Sequence, residues 1–471
     1  MDQTELPNHD FRNTPEYQAT EEFLLGRINY ERVAKMPYSN REMNLNRMRR
    51  LLELLGDPHE SLNIIHIAGT KGKGSTAAFI SGAIQAAGMT CGSYTSPHLH
   101  HIEERFRRNG QPCSPQILVK LVEKTRPAVR QLDQEHAEDP VTYFEIATAL
   151  GFLFFASEKV DVAVLEVGLG GRLDSTNVCH PLVSVITSIS LDHTKQLGDT
   201  LALIAAEKAG IIKDSVPVVS GVVGAEAKTV IEEIATKRNA PLVCRDVDFR
   251  CVNYNLQREV LASVFDIEDR QDSGWRSAMS EVGIRCLGKH QAANAAVAWA
   301  ALNQLPIETR PTDEAIREGF ATVQCEARIE IVRKNPLVVI DAAHNVASAK
   351  ALVETLREID SRRKWLVLGT TRGKDVQGML DHLVPHFDNI ICTRYENNPR
   401  GHEVESLAEM IANKSKALPV SERPVRVDCY ATPIEAWRAA KQDSEPDELI
   451  CVAGSFFLAA EIREILRTEQ T

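Results

Sequence analysis

The stretch HIAGTKGKGSTAAF, residues 66–79, decides the fold. It sets a glycine-rich turn between a β-branched run, NIIHIAG (63–69), and a helical run, STAAFISGAIQAAG (75–88), that Gly88 stops. A turn feeding a helix N-terminus offers unpaired N–H groups and the positive dipole end to a phosphate. The usual phosphate-loop spelling wants a Gly five residues before the Gly-Lys pair and a hydroxyl straight after the lysine. Here Ile67 holds the first position, and Gly74 separates Lys73 from Ser75. Lys73 is placed to reach outer phosphates, and Ser75 or Thr76 stands where a hydroxyl would meet Mg²⁺. A plain turn with a solvated lysine would not need this concentration of glycines, lysines and hydroxyls after a buried strand. The alternative dinucleotide reading of Gly72-Lys73-Gly74-Ser75-Thr76-Ala77 needs an acidic residue about 20 positions on. None occurs between Ala77 and Ile102, so nicotinamide binding is disfavoured.

Working outward, residues 1–20 read as a flexible tail, and the pattern from Glu21 to Leu55 is helical, closed by Gly56 and Pro58. Short β-branched runs then alternate with helices: NIIHIAG, DVAVLEVG, PLVSVITSIS and VPVVSG. Such alternation predicts an α/β fold, a P-loop ATPase-like domain with a mostly parallel sheet covered on both faces. Residues 245–288 break the rhythm and read as a small antiparallel insertion. A second series, PLVVIDAAHN, KWLVLGTT, NIICTRY and ELICVAGS, predicts a smaller, Rossmann-like α/β domain. The expected division is 21–323 for the ATP-binding domain and 324–471 for the C-terminal one.

Composition narrows the function. The 471 residues are 43% hydrophobic and 25% charged with a net charge of -11, a globular balance that lacks the basic face nucleic acid requires. No run approaches the roughly 18 apolar residues of a membrane span, and the polar start, MDQTELPNHDFRNTPEY, is unlike a targeting peptide. Ten cysteines without a CxxC pair point to reduced thiols and a cytoplasmic setting.

Three further segments carry chemistry. In DVAVLEVGLGGRLDSTNV (161–178) a buried strand delivers Glu166 to the crevice side of the sheet, where a carboxylate suits Mg²⁺. His193, in SISLDHTKQLG, follows another strand end and is a candidate to complete a metal site with Glu166. Lys208 and Lys213, in AEKAGIIK, would ordinarily be solvated charges on an amphipathic helix.

Together, HIAGTKGKGST, SYTSPHL, TYFE, EVGLGGRLDSTNV, ITSISLDHT, EKAGIIK, GKHQAANAA, DAAHN and AGSFFLAAE resemble the ordered motifs of the Mur-ligase superfamily. The match is to its folate branch, folylpolyglutamate synthase and bifunctional dihydrofolate synthase, and runs from about Glu21 to Leu466. That family spells its loop GTxGKGS, so the extra glycine is no damage, although Lys71 stands where the family usually shows Asn. The resemblance implies an ATP-dependent ligase that phosphorylates a carboxylate of folate or dihydropteroate and transfers the acyl group to L-glutamate. It implies ATP contacts from Gly69, Thr70, Lys71, Gly72, Lys73, Gly74, Ser75 and Thr76, with His290 and Asn294 facing adenine and ribose. It also implies that Arg328, Asp341 and His344 reach ATP on domain closure. Ser96 and Glu166 would bind one Mg²⁺ and His193 a second, and Lys208 matches a lysine the superfamily often carbamylates. Lys73, Lys208, His193 and Glu166 are the expected catalytic set, in a cytoplasmic monomer without nucleic-acid or membrane partners. Two departures, Ala327 and Ala342 where the family has Gly, each lose a permissive φ.

Rival readings are a peptidoglycan-precursor or cyanophycin-type ligase, a nucleotide-hydrolysing switch, and a degenerate binding protein. The SPHL loop disfavours the first. The switch needs neither the carbamylation-type lysine nor a second domain carrying DAAHN, and intact Lys73, Glu166 and His193 disfavour the last.

Overall fold

A computed structural model describes residues 11–29, 45–270 and 278–469. The chain divides into two compact units. One is built from the chain through Val252 with Asp266–Val282 and Ala293–Thr322, the other from Asn253–Phe265, Gly283–Ala292 and Val323 onward.

The first unit is built on strands β1 (Ile64–Ala68), β2 (Cys91–Tyr94), β3 (Phe106–Arg108), β4 (Gln111–Pro112), β5 (Val162–Glu166), β6 (Val183–Ile186), β7 (Val218–Ser220) and β8 (Leu242–Cys244). They form one sheet in the order β4-β3-β2-β5-β1-β6-β7-β8. From β2 to β8 every pairing is parallel, and only β3 and β4 turn back antiparallel. Strands β1, β5 and β6 are buried at every position, so they read as unbroken apolar runs rather than alternating ones. The glycine-rich turn thus leaves a central strand, β1, flanked by β5 and β6.

TYFE has a local explanation. Thr142 caps the helix Tyr143–Ser157 and accepts from the Glu145 N–H, while Glu145 reaches back to the Thr142 N–H at 2.9 Å, a capping box. Arg47, on the helix Leu45–Leu54, forks its Nε onto both Glu145 oxygens at 2.9 and 3.0 Å, and both side chains are buried. Removing one partner strands a buried charge, so Arg47→Met is expected to lower unfolding free energy by about 3–5 kcal/mol in urea titration.

Residues 15–20, read from sequence as tail, are helical: Thr14 caps the helix Pro15–Leu25, whose first residue is a proline that needs no N–H partner. Tyr17 ties this helix down by donating its hydroxyl to the buried Glu103 carboxylate at 3.2 Å, and Arg12 Nε adds a bond at 3.1 Å. No local pattern signals that long-range anchor, 86 residues away. Of the stretch expected to be helical up to Leu55, residues 30–44 lie outside the described residues.

Strands β9 (Phe249–Gln257), β10 (Ala262–Asp269) and β11 (Met279–Ile284) form a three-stranded sheet in the region expected to be an insertion. The second unit carries β12 (Glu330–Lys334), β13 (Leu337–Ile340), β14 (Lys364–Leu368), β15 (Asn389–Cys392), β16 (Arg426–Cys429) and β17 (Leu449–Ala453). Their order is β12-β13-β17-β14-β15-β16, parallel apart from the β12 edge. Its core of Val339, Leu366, Leu368, Ile390 and Leu449 is sealed from solvent. All ten cysteines are free thiols, and among the described residues no helix is long and apolar enough to cross a membrane.

Candidate active site

The turn after β1 is held by its backbone. Gly72 caps the helix Lys73–Ala86 at φ 86, a left-handed conformation that glycine takes without cost. A side chain there would also collide with the Asn294 amide, 2.3 Å from the Cβ position. Asn294 therefore lies against the loop, and Ser75 and Thr76 occupy the first buried turn of the helix.

Two lysines converge on one carbonyl. Lys73 Nζ donates to Gly69 O at 3.1 Å, and Lys208 Nζ donates to the same oxygen at 3.0 Å. Lys208 is 5% exposed, not solvated as its helix pattern alone implies. Burial, then the nearby Lys73 ammonium, pulls its pKa down to about 7, with Asp192 opposing and Lys71 adding to the drop. An amine with so depressed a pKa has a substantial neutral fraction near pH 7 and can act as a nucleophile, unlike an ordinary surface lysine.

Glu166 reaches the loop from β5, where it pairs in register with Ile67 of β1. Its carboxylate is nearly enclosed, 3.8 Å from Lys73 Nζ, and accepts from the Ser96 backbone N–H at 3.4 Å. His193 comes from the other side, on the loop after β6. The strand order β5-β1-β6 therefore sets Glu166 and His193 on opposite flanks of the phosphate loop instead of side by side. Among the described residues no three His, Cys, Asp or Glu side chains form a metal cluster. Such a donor set suits Mg²⁺, a hard ion that keeps waters and substrate phosphates in its shell, better than a metal that wants an all-protein cage.

The loop GLGGRLDSTN is structural scaffolding for these groups. Arg172 forks onto Glu207 at 2.8 and 3.0 Å, next to Lys208 in sequence. Gly171 lets the two backbones meet, since a Cβ there would lie 2.8 Å from Glu207 O and 2.9 Å from Lys208 O. Asp174, fully enclosed, accepts from the N–H groups of Gly168, Leu169 and Thr176 at 3.0 Å and from the Thr176 hydroxyl at 2.5 Å. His66 joins this network through Thr176 Oγ1 at 2.8 Å, and burial drives its pKa down to about 3, so the ring is neutral. Composition marks Asp174 only as one more polar residue of the loop; its position two residues after Arg172 was the available signal. Asp174→Ala orphans buried N–H donors and is expected to cost about 2–4 kcal/mol, read as a drop in urea midpoint.

The remaining expected residues belong to the second unit, except Asn294: the division passes through the helix Lys289–Asn303 between Ala292 and Ala293. His290 is half-buried, and desolvation with the Arg328 charge lowers its pKa to about 4. Asp341 accepts from the Ile329 N–H at 2.8 Å and the Ala343 N–H at 2.7 Å, and His344 Nδ1 lies 2.8 Å from Ala342 O. Ala327 does adopt φ 51, but Ala342 has no positive φ, so only the first departure meets a conformation that favours glycine. At the C-terminal ends of β14, β15 and β17, Thr371 Oγ1 is 2.8 Å from the Tyr395 hydroxyl and 3.4 Å from Ser455 Oγ. The Thr370 and Thr393 hydroxyls are enclosed there and have no hydrogen-bond partner among the described residues. Strand ends of a parallel sheet are where ligands bind, and the sequence signals were the polar endings GTT, TRY and AGS.

Compared with known proteins, residues 67–302 match the Mur ligase middle domain and residues 327–456 the Mur ligase, glutamate ligase domain. The dihydrofolate synthase/folylpolyglutamate synthase of Bacillus subtilis is 36% identical over 429 residues, covering 90% of this chain and 95% of the relative. The Lacticaseibacillus casei folylpolyglutamate synthase is 33% identical over 429 residues, covering 89% and 94%. Among solved structures, the Mycobacterium tuberculosis folylpolyglutamate synthase complexed with ADP superposes with a TM-score of 0.84 at 33% identity, over 96% of this chain and 98% of that one. Escherichia coli FolC in complex with DHPP and ADP gives 0.80 at 27% identity, over 98% and 99%. Fold and loop define a Mur-type ligase, an enzyme class that forms carbon–nitrogen bonds. Within that class, the chain belongs to the folylpolyglutamate synthase/dihydrofolate synthase family.

Proposed function

We infer that this protein uses ATP to join L-glutamate to folates through an amide bond, by way of an acyl phosphate, and that dihydropteroate is a second acceptor. The observation that carries the reading is the meeting of Lys73, Lys208 and Glu166 at the end of β1, within a chain of this family.

A carboxylate is a poor electrophile because its leaving group would be oxide. Its oxygen attacks the γ-phosphorus of ATP, the bond to ADP breaks, and the acyl phosphate gains phosphate as leaving group. Lys73 and the N–H groups of Gly72 to Ser75 hold the phosphates and offset charge on the transferred phosphoryl. Ser96 and Glu166 on one flank and His193 on the other would hold Mg²⁺, which neutralises phosphate charge when bound. The neutral fraction of Lys208, raised by its depressed pKa, adds CO₂ at Nζ with loss of a proton, turning an amine into a carboxylate-like group beside the phosphates. In the second unit, His290, Arg328, Asp341 and His344 serve ATP, and the enclosed hydroxyls of Thr370 and Thr393 suit the amino-acid substrate. The glutamate amine then attacks the acyl carbon, loses a proton and expels phosphate. The protein acts as a cytoplasmic monomer.

Mass spectrometry of products tests the reading. Purified protein with ATP, Mg²⁺ and L-glutamate receives dihydropteroate in one reaction and tetrahydrofolate in another. Glutamate addition to both is expected; addition only to tetrahydrofolate removes the dihydropteroate activity, and addition to neither overturns the folate assignment.

A further inference from the structure

The chemistry above leaves the side chain of Lys71 without a task. Its backbone already grips the loop after β6: the Lys71 N–H donates to Ser188 Oγ at 3.0 Å, and its carbonyl accepts from Thr187 Oγ1 at 2.6 Å and Ser188 Oγ at 2.9 Å. Thr70 adds bonds to the same loop, from its N–H to Ser188 O at 2.8 Å and from its hydroxyl to Ser190 O at 3.2 Å. The Lys71 ammonium then extends this grip, lying 3.5 Å from Asp192 Oδ2. Asp192 is nearly enclosed, and its other oxygen accepts the His193 N–H at 2.9 Å. His193 sits at φ 50, a left-handed conformation that a non-glycine residue keeps only where its surroundings fix it.

We propose that Lys71 is a positioning residue: by pairing with Asp192 it fixes the backbone of His193, and so couples the phosphate loop to the Mg²⁺ side of the site. The chain of contacts runs Lys71 ammonium, Asp192 carboxylate, His193 N–H, an ion pair at 3.5 Å followed by a hydrogen bond at 2.9 Å. Without the ammonium, the Asp192 carboxylate loses a cation that offsets its charge in a poorly solvated place, and its hold on the His193 N–H loosens. The charge of Lys71 is thus used on Asp192 rather than on the nucleotide. This rests on the assignment of His193 to Mg²⁺.

The test measures ADP binding by calorimetry with and without Mg²⁺, for wild type and for K71M, K71R, D192N and K71M/D192N. The readout is the factor by which Mg²⁺ tightens ADP, which needs no turnover. K71M is expected to shrink that factor by about tenfold, K71R to restore most of it, and the double variant to be no worse than D192N, as for residues acting through one another. In the ligase assay the same variant raises KM for Mg·ATP more than it lowers kcat. Equal weakening of ADP with and without Mg²⁺, or losses that multiply in the double variant, would mean direct contact with phosphate and overturn the proposal. Thermal midpoints of K71R and K71M within a few degrees of each other keep a folding defect from producing the result. No effect of Mg²⁺ on wild-type ADP binding would instead remove the metal assignment, and the proposal with it; a product assay that still shows glutamate addition separates that outcome from failure of the ligase reading.

Discussion

Lys73→Met lowers the rate of glutamate incorporation by about 10²–10³-fold, the scale for loss of one charge-stabilising donor at a reacting centre. Methionine keeps the length and the apolar stem, and Gly69 O still accepts from Lys208, so the loop has no reason to collapse. A second consequence separates this variant from a misfolded one. After burial, Lys73 is the largest influence holding the Lys208 pKa down. Removing it lets the Lys208 pKa rise, so the neutral amine that takes up CO₂ forms only at higher pH. The acid limb of the pH–rate profile of K73M therefore moves upward. A profile that keeps its limb would separate Lys208 from the activity.

Lys208→Met gives the more unusual outcome, a protein that is inactive yet more stable. The pKa of Lys208 falls from its ordinary 10.5 to about 7 in the folded state, while the unfolded chain keeps the ordinary value. Between those two pH values the unfolded state binds more protons, so wild-type stability rises with pH across the window. At and below pH 7 the full penalty of confining the ammonium is present, on the order of 5 kcal/mol as an upper figure for such a displacement. Methionine removes that penalty, and Lys73 continues to satisfy Gly69 O. The stability of K208M is expected to exceed wild type by a few kcal/mol at pH 6, with the gap closing toward pH 10. Urea titration in CO₂-depleted buffer at several pH values reads this directly. A variant less stable than wild type at pH 6 would show that the lysine stabilises the fold, contrary to the burial argument. Activity is expected to fall by about 10²-fold or more, since no carboxylate-like group can form at this position.

Much of the fold was readable because its information is local. A buried parallel strand declares itself as an unbroken β-branched run, and a phosphate loop as glycines between such a run and a helix. Glu166 and His193, at or after strand ends, and Lys73, at the head of the helix after the turn, were candidates for that reason. What sequence does not carry is lateral order. That β1 lies between β5 and β6 decides that Glu166 and His193 flank the loop, yet no pattern within either strand says so. Arg172 illustrates the same limit: nothing around it in sequence points to its partner, Glu207, 35 residues on. Lys71 and Asp192 are 121 residues apart, and the buried state of Lys208 follows from what packs over its helix, not from the helix itself. The helix Pro15–Leu25 was hidden for a related cause, because its anchor, Glu103, is distant while its own sequence is polar.

One measurement tests the acyl phosphate directly. Folate labelled with ¹⁸O in its terminal carboxylate is incubated with the enzyme, ATP, Mg²⁺ and L-glutamate, and the released phosphate is examined by mass spectrometry. Activation by phosphorylation transfers one carboxylate oxygen to phosphorus, so one ¹⁸O is expected in the inorganic phosphate for each amide formed. Amide formation with unlabelled phosphate would mean that the carboxylate never bonds to the γ-phosphorus, and would contradict phosphoryl transfer at Lys73 and the glycine-rich loop.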